Sequence, residues 1–375
     1  MHQDYFFHVA FEPTTGVWSM IMNLASEQKK HGVNTVCVLY YSNKDYFEEY
    51  SRREDLQGHS VKWIFVRKWI DSTISLLFNH ELTNIIDDFC DKDGSYAYIT
   101  FHDAHFSSAF LPIKSKHVKR MCTIIHGCPY GLLYQKKWYK RLMHRFFAWR
   151  LKKSSLECVA VSREDVNLFQ PVTKIPLDRF HVIYNGTSTH KQQSLVTDNK
   201  FVVGFIGFLE ERKDPRLAIE SVKIANKFNG KISLLIAGFG DLVEYVRNEA
   251  TKHPGIVEYI GSINDPIKNF YPKIDLLLLT SKLEGLPMTI LEAFSLGIPV
   301  VSTSAGGIKE IVLNGVNGYM VTSEKEDISD RIVQLSNDQK LLEKLGEGAY
   351  DFFVSHLSIN KCASDYIKLL KDGKI

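Results

Sequence analysis

Asp275-Leu-Leu-Leu-Leu-Thr280 runs through Ser281-Lys-Leu-Glu284-Gly285-Leu286-Pro287 into Met288-Thr289-Ile290-Leu291-Glu292. The apolar run reads as a strand buried on both faces, as in a parallel sheet. A polar loop follows, and a helix opens behind it. Proline is favoured in a first helical turn, because its missing N–H costs nothing there. Gly285 lets a ligand approach the backbone closely. The N–H groups of Met288, Thr289 and Ile290 point out of the helix end, and the macrodipole adds roughly half a positive charge. That end suits a diphosphate. Glu292, one turn in, is placed to accept two ribose hydroxyls, and Glu284 is in reach of a sugar on the other phosphate. Two glutamates eight residues apart are in most chains simply solvated. Here the strand, the loop and the proline all agree on a binding segment.

The stretch is one unit of a longer alternation. Residues 5–11 read as a buried strand and 17–30 as a helix, with Met20, Ile21, Leu24 and Ala25 at helical spacing and Gly32 as its stop. A strand at 35–40 completes a βαβ unit, which implies a parallel sheet. Further strands are expected at 61–66, 96–101, 121–125, 158–161 and 181–184, with helices at 76–89 and 135–153. Ser162 is a good N-cap for the helix after it. Residues 185–200 are polar and lack periodicity, as a linker would. A second series follows: strands at 201–206, 232–237, 257–260, 275–280 and 299–302, helices at 215–229, 241–252 and 288–296, and a helical tail at 349–371. Single cores stop growing near ~250–300 residues, so 375 residues suit two doubly wound α/β domains. Ligands of such sheets bind beyond the carboxyl ends of the strands, and a cleft between the two domains is the expected site.

Composition narrows the class. Hydrophobic residues make up 45% and charged residues 24%, as in ordinary globular chains. Six scattered cysteines form no C-x-x-C pair, which points away from zinc and redox motifs and toward a reduced, cytoplasmic setting. The first residues carry an early acid and no basic region, unlike a signal peptide. No run of ~18 apolar residues is present to span a membrane. The sequon at Asn185-Gly186-Thr187 is expected to be silent in the cytoplasm.

Charge is unevenly spread. Between Asp103 and Glu157 there is no acid, while basic residues recur from Lys114 to Lys153. Such a surface suggests an anionic partner. Residues 135–153 form a basic-aromatic helix with Trp138, Leu142, Phe146 and Trp149 on one face. It can lie on an anionic membrane surface, or its apolar stripe can pack in part on the domain's own sheet. No recognition motif accompanies the charge, so nucleic acid is not expected as a partner.

Glu284-Gly-Leu-Pro-x-x-x-x-Glu292, Ala293-x-x-x-Gly297-x-Pro299-Val300-Val301, Gly306-Gly307-x-x-Glu310 and Asn314-Gly-x-Asn-Gly318 together resemble the retaining glycosyltransferases of family 4. The match runs over most of residues 200–322. The first half resembles the family more loosely, through Thr15-Gly16-Val17, His126-Gly127, Val159-Ala-Val-Ser162 and Ile183-x-Asn185-Gly186. The resemblance implies the GT-B fold: two doubly wound Rossmann-like domains facing a central cleft. Residues 1–187 would bind the acceptor and 188–351 the nucleotide-sugar, with the segment 352–375 crossing back onto the first domain.

Carried over by position, Glu292 would bind ribose and Glu284 the donor sugar. Lys213 would bind the diphosphate, and His126 would lie near the reacting centre. Gly16 would let the first loop approach the phosphates. Gly238, Gly240 and Gly261 would line the nucleotide pocket. One position departs from the family. Phe208 stands where a phosphate-binding Arg is usual, which leaves Arg212 to substitute or Lys213 to act alone.

The resemblance implies transfer of a hexose, with UDP as the expected carrier, to a saccharide or lipid-linked saccharide in cell-surface polysaccharide synthesis. No convincing Asp-x-Asp sits at a strand end; Asp91-Lys-Asp93 lies in a polar connection and reads as a turn. Metal-independent transfer is therefore expected, with Lys213, Arg212 and the helix N-terminus stabilising the leaving diphosphate. No cofactor is expected. Retention without a protein nucleophile would use front-face attack. His102 and His105 form another strand-end cluster, open to either acceptor contact or plain loop structure. Two other readings share the fold: a sugar-nucleotide epimerase, and a non-catalytic sugar-nucleotide-binding homologue.

Overall fold

The computed structural model describes residues 4–11, 15–41, 61–67, 80–103, 107, 111–126, 138–190 and 200–374. Contacts divide the chain into two compact units, Met1–Gly186 with Ile359–Ile375, and Thr187–Ser358.

The first unit contains β1 (Tyr5–Phe11), α1 (Thr15–Lys30), β2 (Asn34–Tyr41), β3 (Lys62–Arg67), α2 (Glu81–Cys90), β4 (Ala97–Phe101), β5 (Val118–Ile125), α3 (Trp138–Lys153), β6 (Glu157–Ala160), α4 (Arg163–Thr173) and β7 (Phe180–Val182). Its seven strands run in the order β3-β2-β1-β4-β5-β6-β7, all parallel. Apolar residues pack on both faces. Phe7, Val9, Ile99 and Phe101 join one core, and Ala10, Cys37 and Leu39 join Trp18, Ile21 and Ala25 of α1 in another. The expected helix stop is present: Gly32 has φ +77° and its N–H donates to the Lys29 carbonyl. Ser162 caps α4 as expected, its Oγ accepting from the Asp165 N–H at 3.0 Å.

The second unit contains β8 (Phe201–Phe208), α5 (Pro215–Phe228), β9 (Ile232–Phe239), α6 (Val243–Lys252), β10 (Val257–Tyr259), α7 (Pro266–Asn269), β11 (Leu276–Leu279), α8 (Met288–Ser295), β12 (Val300–Thr303), α9 (Ile308–Ile311), β13 (Gly318–Val321), α10 (Lys325–Asn337) and α11 (Gln339–Phe352). Its parallel sheet runs β10-β9-β8-β11-β12-β13. Both sheets therefore reverse direction of winding beside their first strand, between β1 and β4 and between β8 and β11. The carboxyl ends of those neighbouring strands mark the switch point, where such folds bind ligands.

The tail differs from the single helix expected at 349–371. α11 ends at Phe352, a π-helical turn follows at Phe353–Leu357, and Ser358 is extended before α12 (Ile359–Asp372). α12 packs against α1, β4 and β5. Gly186 is closed on by this helix: a Cβ there would lie 2.7 Å from the Ile359 Cα. The expected linker residues 191–199, and His105, lie outside the described residues. Among the described residues no helix is long and apolar enough to cross a membrane.

The basic-aromatic helix is turned the other way from a stripe packed on the sheet. Phe147 and Leu151 are buried, whereas Leu142, Phe146 and Trp149 are exposed. Phe146 stacks on Trp149 at 6.2 Å between centroids.

Candidate functional site

The crevice of the second unit is built by two loops. The one after β8 carries Arg212 and Lys213; the one after β11 carries Ser281 to Pro287. Backbone and hydroxyl bonds join them. The Thr280 Oγ1 lies 2.7 Å from the Asp214 carbonyl and 3.0 Å from that of Lys213. The Lys282 N–H donates to the Arg212 carbonyl at 2.8 Å, and the Lys282 ammonium pairs with Asp214 at 2.8 Å. The loop after β12 supports them from the other side. Gly307 N–H donates to the Gly285 carbonyl at 2.9 Å. Gly306, at φ +54°, lies so close that a Cβ would fall 1.7 Å from the Glu284 carbonyl oxygen.

These loops bring the predicted charges together. The Glu284 side chain is 6% exposed. Its carboxylate accepts from Lys213 Nζ, from Ser281 Oγ at 2.6 Å and from Arg212 Nη1 at 3.4 Å. Arg212 is further tied to the Leu283 carbonyl at 3.0 Å and to Glu210 at 2.7 Å. Sequence reasoning gave Lys213 the diphosphate and Glu284 the sugar. The structure joins them in one ion-paired cluster, with Ser281 as a member that the sequence reading did not single out.

Glu292 sits in α8, one turn from its start. The Tyr271 hydroxyl donates to its Oε2 at 2.7 Å. Tyr271 is fully buried, and desolvation of the carboxyl raises the Glu292 pKa from 4.5 to about 7, with the Tyr271 hydrogen bond offsetting part of the rise. Oε1 of Glu292 has no hydrogen-bond partner among the described residues. Tyr271 was missed in the sequence because it arrives from a separate 3-10 turn, Tyr271–Lys273, with no motif to mark it.

The helix start is corrected in one respect. Pro287 is the N-cap of α8, with φ −71° and ψ 123°, and not a residue of its first turn. The Ile290 N–H is already used by the Pro287 carbonyl at 3.1 Å. The outward N–H groups are therefore those of Met288 and Thr289, and the Thr289 hydroxyl is buried without a partner among the described residues. Leu286 is buried at the same corner.

Gly238 and Gly240 are required by backbone packing. Both have positive φ, and a Cβ at either would strike backbone, at 1.8 Å from the Gly207 oxygen and 2.5 Å from the Leu209 oxygen. Close packing of β8 against β9 requires them. Gly261, at φ +76°, accepts from the Gly238 N–H at 2.9 Å and has open space beside it. Phe208 ends β8 directly beside Phe239 at the end of β9. The two rings meet edge to face at 4.7 Å, and they are 41% and 54% exposed. The position that usually carries an arginine is thus an exposed aromatic pair.

In the first unit the crevice lies between β1 and β4. His102 follows β4 directly and is 3% exposed. Its ring stacks on that of His126, which follows β5, at 5.7 Å and 12°. Burial lowers the pKa of His126 to about 4 and holds that of His102 well below its ordinary value. Both rings are neutral near pH 7. His8 and Gln28 complete this cluster and were not anticipated, since they lie inside a strand and a helix. Gly16 is the second residue of α1.

Comparison with known proteins agrees with both halves. A model described as Glycosyltransferase Family 4 matches residues 14–191, and one described as Glycosyl transferases group 1 matches residues 187–352. An uncharacterized glycosyltransferase of Methanocaldococcus jannaschii is 27% identical over 61% of this chain and 63% of its own. A capsular polysaccharide biosynthesis glycosyltransferase of Staphylococcus aureus is 28% identical over 51% of this chain and 52% of its own. The chain thus spans between about half and two thirds of the length of these curated relatives. In three dimensions, Anabaena HepE, solved in complex with UDP, matches 99% of this chain and 100% of its own with a TM-score of 0.74 at 17% identity. With two parallel doubly wound sheets and both family models matched in sequence order, the chain belongs to the group 1, family 4 glycosyltransferases of GT-B fold.

Proposed function

We propose that this chain moves a hexose from a UDP-sugar to a saccharide or lipid-linked saccharide acceptor, with retention of configuration and without a metal. The observation that carries the reading is the meeting of Lys213, Arg212 and Glu284 at the β8/β11 crevice. It supplies cations for a diphosphate and a carboxylate for sugar hydroxyls. In this reading Glu292 accepts from the ribose through its free Oε1. The N–H groups of Met288 and Thr289 receive the diphosphate. Gly285, Leu286 and Pro287 shape the wall, and Gly261 borders the base. Lys213 and Arg212 stabilise the charge that develops on the leaving diphosphate. A diphosphate oxygen takes the acceptor proton as the new bond forms on the same face, and no protein nucleophile is needed. His126 serves the sugar as a neutral hydrogen-bonding group. The capsular-polysaccharide name of the Staphylococcus relative favours a glycan acceptor, and the UDP of the Anabaena neighbour favours a uridine carrier.

The test is to incubate the chain with UDP-sugars and follow free UDP with and without saccharide acceptors. Acceptor-dependent release supports the transferase. An isomerised sugar with the nucleotide retained supports an epimerase, and binding without turnover supports a non-catalytic module.

A second element of the proposal is contact with an anionic membrane surface through α3. Leu142, Phe146 and Trp149 are exposed beside exposed Arg145, Lys152 and Lys153. Basic residues near such a surface add ~1 kcal/mol each. Vesicle sedimentation at low salt checks it; absence of binding to anionic liposomes removes it.

A further inference from the structure

The first unit holds a buried chain of polar groups that no catalytic role above requires. Gln28 of α1, His8 of β1 and His102 after β4 are each fully or almost fully buried. His8 Nε2 lies 2.8 Å from Gln28 Oε1, and His8 Nδ1 lies 3.0 Å from His102 Nε2. The chain spans the β1/β4 crossover point, with His8 inside the sheet and His102 at its carboxyl edge.

The Gln28 amide oxygen faces His8, and this orientation sets the protons along the line. An amide oxygen only accepts, so with it there His8 carries its proton on Nε2. A neutral imidazole has one N–H, so His8 Nδ1 is a lone pair. His102 must then donate from Nε2, and its own Nδ1 is left as a lone pair. That Nδ1 is buried and has no hydrogen-bond partner among the described residues. Burial lowers the His8 pKa to about 4 and keeps His102 neutral as well, so the pattern persists at physiological pH.

We propose that Gln28 and His8 are positioning residues that lock His102 in its Nε2–H tautomer, making Nδ1 a standing acceptor for a sugar hydroxyl. A buried lone pair calls for a donor. A diphosphate has only acceptor oxygens and does not fit; a neutral hydroxyl does. His126, stacked on His102, has its Nε2 buried and unpartnered among the described residues too. Two ring nitrogens unpartnered among the described residues thus stand at the ends of adjacent strands, on rings 5.7 Å apart. That the hydroxyl belongs to a sugar rests on the transferase reading; the tautomer does not.

Long-range 1H–15N correlation on the full chain with 15N-labelled histidine tests it, with His102 assigned through His102→Phe. The expected result is Nε2 protonated and Nδ1 bare. A protonated Nδ1 overturns the proposal. In Gln28→Leu the His102 tautomer is expected to become mixed, whereas Gln28→Glu keeps it; an unchanged tautomer in folded Gln28→Leu removes Gln28 from the relay. Ligand arms use UDP, UDP-glucose, and glucose with UDP. A shift of the Nδ1 resonance with UDP-glucose beyond that with UDP assigns a donor hydroxyl; a shift only with added glucose assigns an acceptor hydroxyl. No shift in either arm, with UDP bound by calorimetry, contradicts the hydroxyl. Failure of UDP to bind contradicts the donor reading instead, and the tautomer still decides the relay. In turnover, His102→Phe keeps the stacked ring and is expected to lose about tenfold in kcat/KM, with partial rescue by His102→Asn.

Discussion

Lys213 and Glu284 come from loops after different strands, yet the Lys213 ammonium donates directly to the Glu284 carboxylate. In the proposed function, donor binding exchanges this pair for contacts with phosphate and sugar. In the same proposed function, Lys213→Ala removes a preorganised cation from the leaving diphosphate. It is expected to lower kcat by about 10²–10³. It also leaves a buried carboxylate with fewer partners, so the melting temperature is expected to fall. Steady-state kinetics with a melting curve checks both; parental kcat contradicts the role.

If Glu292 holds the ribose as proposed, nucleotide binding is expected to depend on pH. The folded Glu292 pKa is raised from 4.5 to about 7. The folded chain therefore holds a proton that the unfolded chain has released over that interval. This contribution to stability is fully present below pH 4.5 and is lost as pH rises through 7. Glu292→Gln flattens the profile and is expected to be more stable than the parent at pH 8, by at most about 3 kcal/mol. Accepting ribose hydroxyls requires the ionised form. Calorimetry of UDP binding in two buffers of different ionisation heat is expected to show proton release at pH 6.5 and almost none at pH 8.5. Equal heats in both buffers at pH 6.5 count against it.

Phe208 offers a gain-of-function test. If its position faces the diphosphate, Phe208→Arg adds a charge-assisted hydrogen bond. UDP affinity is expected to rise about tenfold. Unchanged or weaker binding means that the aromatic pair points elsewhere.

Gly306 is where the loops are closest. Alanine there meets both a positive φ and a Cβ position 1.7 Å from the Glu284 oxygen. Gly306→Ala is expected to cost about 2–4 kcal/mol and to impair turnover by displacing Glu284. Denaturant unfolding checks the first and kinetics the second; a neutral effect on stability contradicts the packing described.

Much of this was legible in the chain. Strands such as β1 and β8 announce themselves as apolar runs, and Ser162 and Gly32 mark helix ends by chemistry that acts locally. Glu284 and Glu292 stood out as candidates through their motif, and Lys213 through its position in the family resemblance. What the motif could not give was partnership. Tyr271 reaches Glu292 from 21 residues away, and His8 reaches His102 across two strands. Such pairings depend on strand order, which spacing alone does not encode. The α3 stripe illustrates the other limit: helical periodicity showed an apolar face, but Phe147 and Leu151, lying off it, are what the sheet buries. The segment from Gly318 holds strand β13 and helices α10 and α11, which the sequence reading did not single out, although Asp338 caps α11.

The central claim is that one short segment holds the donor, with Glu292 on the ribose and Glu284 on the transferred sugar. The most direct test measures UDP affinity and acceptor-dependent turnover of UDP-glucose for Glu292→Ala and Glu284→Ala side by side. Glu292→Ala is expected to weaken UDP binding about tenfold or more, through loss of hydroxyl contacts. Glu284→Ala is expected to keep near-parental UDP affinity while kcat falls about 10² or more. Parental affinity and parental turnover in both variants would contradict the assignment.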